Sequence, residues 1–100
     1  MAFFVVAVED ATPAQANSIT EYLGTLGGYW HWMSHLWLLN SYSDLNAIEI
    51  RDALNVKAGG PVCIVLKVDL AGSDSWAGLF PSARLNEWAD WLLRLWRPGI

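Results

Sequence analysis

The sequence predicts an α+β domain in which helices cover one face of an antiparallel sheet. Three observations predict it. Phe3-Phe4-Val5-Val6-Ala7-Val8 is apolar at every position, the pattern of a strand buried on both faces. Behind a helix-start signal at Thr12, apolar residues recur at helical spacing up to Leu26. Strand-like and helix-like segments then follow in the order strand, helix, strand, strand, helix, strand, with a helical extension at the C-terminus.

The first strand runs from about Ala2 to Val8 and ends on Glu9-Asp10. Thr12-Pro13-Ala14-Gln15 starts a helix: Thr12 caps, Pro13 fits the first turn, and Gln15 completes a capping box. Ile19, Tyr22, Leu23 and Leu26, with Ala16 one turn earlier, form its inward stripe, and Gly27-Gly28 stops it. Tyr29–Met33 and Leu36–Ser41 read as two strands of a hairpin turning at Ser34-His35. That turn lacks the glycine or asparagine favoured in two-residue loops, which points to a bulge or a bent ribbon. A second helix starts at Ser43 or Asp44 and runs to Leu54, with Leu45, Ile48 and Leu54 inward and Glu49 and Asp52 in solvent. Asn55 to Gly60 is a loop, and Pro61 to Val68 the fourth strand. Asp69 to Ser75 is a loop, and Trp76 to Phe80 is either a short edge strand or an ordered turn. Ser82 caps a last helix to about Trp96, with Leu85, Trp88, Leu92 and Leu95 buried and Arg84, Glu87, Asp90 and Arg94 wet.

This order is the ferredoxin-like βαββαβ plan, in one domain spanning residues 1–100. In that plan one sheet face stays open and needs a cover. The chain is 54% hydrophobic and only 16% charged, which is low for the surface of a free monomer. Trp91 and Trp96 add apolar area near the C-terminus. A homodimer that buries this surface is therefore expected, with the C-terminal helix as a further cover.

Charge narrows the function classes. The net charge is −4 and the six basic residues are scattered, which argues against broad electrostatic binding of nucleic acid. Cys63 stands alone inside Val62-Cys63-Ile64-Val65-Leu66 and reads as a buried core thiol. No apolar run reaches membrane-spanning length, and the N-terminus lacks the basic region of a signal peptide. A cytoplasmic protein without membrane contact is the expectation.

Several stretches together resemble the CRISPR-associated adaptation-subunit and endonuclease superfamily, and within it the SinR-like and VapD-like small relatives. They are Phe4 to Pro13, Leu26-Gly27-Gly28-Tyr29-Trp30-His31-Trp32, Leu36-Trp37-Leu38-Leu39, Ala47 to Leu54, and Pro61 to Val68. The resemblance implies a ferredoxin-like subunit in a two-fold dimer, with open sheet faces meeting and C-terminal segments crossing to the partner. It also implies, for some members, a metal-dependent nuclease acting on RNA or duplex DNA. The family's key residue is an aspartate at the end of the first strand, often after a tyrosine. One copy from each subunit faces the dimer axis, and the two share a divalent ion. The matching position here is Glu9, preceded by Val8, with Asp10 one place further on.

Glu9 and Asp10 are thus the candidate catalytic residues and the candidate ligands for Mg2+ or Mn2+. Their plain reading is a strand terminus leading into a helix. The glutamate carries an extra methylene, and a register centred on Asp10 would send the side chain to the other face. Both departures weaken the nuclease reading. His35 at the turn, with Arg51 and Lys57, makes the candidate nucleic-acid contact set; a solvated turn histidine is the plain alternative. His31 reads as a packed, hydrogen-bonded histidine. Phe4, Val6, Trp30 and Trp32 are the candidate dimer contacts. Tyr29, Trp30, Trp32 and Trp37 have no basic neighbour between Tyr29 and Arg51, so core packing and dimer burial explain them better than base stacking. Gly59-Gly60 has no following Lys-Ser or Lys-Thr and is no phosphate cradle.

Three readings of function follow. The preferred one is a non-catalytic or vestigial relative that acts as a homodimeric interaction module with a protein partner. The others are an active metal-dependent nuclease, and a component of a toxin–antitoxin, defence or phage counter-defence system.

Overall fold

The apolar run at the start of the chain becomes an inner strand of the sheet. In the computed structural model, which describes residues 2–70, 77–80 and 85–96, β1 (Ala2–Glu9) lies between two antiparallel neighbours. These are β3 (Leu36–Ser41) and β4 (Val62–Val68); β2 (Gly27–Met33) pairs with the far side of β3. The order is β2-β3-β1-β4, a four-stranded antiparallel sheet in an α+β fold. The chain divides into two compact units, Met1–Val68 and Asp69–Ile100.

Alternation along β1 sorts its side chains by face. Ala2, Phe4, Val6 and Val8 are buried, and Phe3, Val5 and Ala7 are half-buried. The buried set packs with Ile19 and Leu23 of α1 (Pro13–Leu26), Ile50 and Leu54 of α2 (Ala47–Lys57), and Trp37 and Leu39 of β3. A side chain of this size withdrawn fully from water contributes about 1.5–3 kcal/mol, so this cluster is the main stabilising feature of the first unit.

Both of these helices begin with a reciprocal capping box. Thr12 Oγ1 accepts from Gln15 N–H at 3.1 Å, and Gln15 Oε1 accepts from Thr12 N–H at 3.0 Å. For α2 the cap is Asn46, whose Oδ1 accepts from Glu49 N–H at 2.9 Å. This corrects the expected start at Ser43 or Asp44. The shift changes which residues face inward: Ile50 and Leu54 are buried, while Ile48 is 57% exposed. Gly59 and Gly60, both at positive φ, turn the chain from α2 into β4.

Gly27 ends α1 by a different route from the usual left-handed cap. Its φ is 165°, an extended conformation open to any residue, and it is already the first residue of β2. The glycine is required by proximity. A Cβ there would overlap the Asn40 carbonyl oxygen and lie 3.0 Å from Ser41 Cα.

The β2–β3 hairpin turns at residues 34–35 and carries the bulge that its non-standard turn suggested. Trp30 pairs with Leu38 and Met33 with Leu36, so His31 and Trp32 together oppose Trp37 alone. The His31 ring stacks on Trp37 at 3.9 Å, and its Nδ1 lies 2.9 Å from the Leu36 carbonyl oxygen. Trp37 Nε1–H donates to Thr20 Oγ1 at 3.0 Å. His31 is therefore a packed, hydrogen-bonded side chain.

In the second unit, residues 77–80 form no helix or strand, and α3 spans Leu85–Leu95. Ala89, Leu92 and Trp96 are buried, with Glu87, Asp90 and Arg94 exposed. Arg94 Nε donates to Asp90 Oδ2 at 2.9 Å, one turn away. The expected cap Ser82, Arg84, Trp76, and the side chains of Leu85, Trp88 and Leu95 lie outside the described residues. Among the described residues, no helix is long and apolar enough to cross a membrane.

Candidate functional site at the rim of the sheet

The rim is where β1 ends. Val8 N–H donates to the His35 carbonyl oxygen at 2.8 Å, which extends the β1–β3 ladder to the hairpin turn. Glu9 pairs with Val62 of β4 and, by alternation after buried Val8, projects from the face opposite the helices. Asp10 follows outside the strand at φ 49°, among the described residues the one non-glycine at positive φ. Aspartate tolerates this conformation better than most residues, and such backbone outliers concentrate at functional sites.

Both carboxylates are exposed, and neither side chain makes a hydrogen bond or ion pair with a described residue. Mg2+ is typically held by one or two protein carboxylates and keeps several waters, so the donor type fits. Among the described residues, no group of three or more His, Cys, Asp and Glu could hold a metal ion. Glu9 and Asp10 are adjacent, exposed acids at the rim of the sheet.

The candidate nucleic-acid contacts are spread over separate elements. His35 is exposed at the turn beside the acidic pair. Arg51 lies on α2 and gives its guanidinium to Asp52, with Nη2–Oδ1 at 2.9 Å. Lys57, at the end of α2, holds its ammonium 5.8 Å from the Tyr22 ring centroid. No hydrogen bond or ion pair joins His35, Arg51 and Lys57.

No family model, curated protein or solved structure matches the chain. The functional reading therefore rests on the residues themselves.

The four candidate dimer contacts differ in accessibility. Phe4 and Val6 are fully buried beneath α1 and α2, so neither can touch a second chain. Trp30 is also buried, at 3% exposure. Trp32 remains accessible at 39%. Exposed aliphatic side chains also line one face of β4, where Val62, Ile64 and Leu66 are 70%, 62% and 52% exposed. Alternation in Val62-Cys63-Ile64-Val65-Leu66 could have singled them out as one face of a strand, but only the pairing shows that this strand is outermost among the described strands. Cys63, on the other face, is half-buried rather than fully buried. Burial pushes its thiol pKa up, with Arg51 acting in the opposite direction, so it is a poor thiolate nucleophile.

Two polar features depend on contacts between distant residues. Asn40 is 6% exposed, and its Oδ1 is buried without a hydrogen-bond partner. Lys67 Nζ reaches Asp44 Oδ1 at 2.8 Å and the Leu45 carbonyl oxygen at 3.1 Å, tying β4 to the approach to α2. Lys67 hydrogen-bonds Asp44, and its charge adds to the effect; together they lower the Asp44 carboxyl pKa.

Proposed function

We propose that the protein is a homodimeric interaction module on a ferredoxin-like frame, a non-catalytic relative of CRISPR-associated nuclease subunits. The order β2-β3-β1-β4, with α1 and α2 packed on one face of β1 and β3, supports the ferredoxin-like reading. The observation that carries the interaction reading is the exposed stripe Val62, Ile64 and Leu66, three large aliphatic side chains on one face of the outermost described strand. The net charge of −4 favours a protein partner over a polyanion.

The test is sedimentation velocity beside a cleavage assay on single-stranded RNA and duplex DNA, with and without Mn2+. A reversible dimer without metal-dependent cleavage supports the module; a strict monomer refutes it. The second reading, a divalent-metal nuclease, is favoured by the exposed Glu9-Asp10 pair with its left-handed aspartate. It requires metal-dependent cleavage that disappears in the Glu9→Gln/Asp10→Asn double variant.

A further inference from the structure

We draw no further inference here: the strongest candidate, the exposed aliphatic face of β4 formed by Val62, Ile64 and Leu66, is an unpartnered sheet face, and nothing in the structure shows what covers it.

Discussion

Replacing Gly27 with alanine adds one methyl group at the first residue of β2, opposite Ser41 of β3. The new carbon would overlap the Asn40 carbonyl oxygen and sit 3.0 Å from both Asn40 C and Ser41 Cα. All three atoms are backbone, so no side chain can swing aside. A carbon–oxygen contact settles at about 3.3 Å or more, so the strands must part by roughly 1 Å at this point. Two hydrogen bonds are at stake: Gly27 N–H to Leu23 O, and Tyr42 N–H to Leu26 O at 2.9 Å. At about 1 kcal/mol for each bond and about 1–3 kcal/mol for overpacking, less a gain of about 0.4–1 kcal/mol from a stiffer unfolded chain, the net cost is about 2–4 kcal/mol. Urea unfolding followed by tryptophan fluorescence should show a midpoint lower by about 1.3–2.7 M, taking m as ~1.5 kcal/mol/M. Gly24→Ala is the control. Its Cβ would meet only the Tyr29 ring at 3.6 Å, an ordinary contact, and it lies within α1. It should stabilise by about 0.5–1 kcal/mol. A cost below about 0.5 kcal/mol for Gly27→Ala, or equal destabilisation by the two variants, would refute the backbone clash.

Two further outcomes follow from the polar contacts. Asp44 is held below the ordinary carboxylate pKa by Lys67, so its pairing supports the fold above its unfolded-state value and is lost as pH falls through the lowered folded value. In an NMR pH titration, Lys67→Met should bring the Asp44 midpoint up to the ordinary value; an unmoved midpoint refutes the pairing. Thr20→Val keeps the shape of the side chain but removes the acceptor for Trp37 Nε1–H, and should cost about 1–3 kcal/mol by denaturation. A loss below about 0.5 kcal/mol would show that the bond contributes little.

Legibility in the sequence followed the range of the interactions. The α1 box could be read because Thr12 and Gln15 are three residues apart and need only each other. The α2 box has the same spacing, Asn46 to Glu49, but Ser43 and Asp44 stand in front of it as plausible caps. Their actual roles are set elsewhere: Asp44 by Lys67, twenty-three positions away, and Ser43 by the Ser41 hydroxyl, which donates to its carbonyl oxygen at 2.8 Å. Gly27 was recognised as a helix stop, whereas its need for a bare Cα comes from Asn40 across the hairpin. Phe4 and Val6 carry the pattern of a strand covered on both faces, but periodicity alone does not say whether helices or a second chain cover them. Glu9 and Asp10 stand at the end of an apolar run and so at a strand end in the sequence itself, whereas the left-handed backbone at Asp10 is set by the turn into α1.

The bond from Val8 N–H to the His35 carbonyl joins the last buried residue of β1 to the hairpin turn. That amide can exchange with deuterated solvent only when the turn lifts away from the strand end. Its exchange rate is therefore a clock for opening of the rim, read at a position that carries neither carboxylate. A ligand that engages Glu9 and Asp10 would slow that clock, while one that seats on Ile64 at mid-strand would leave it running as before.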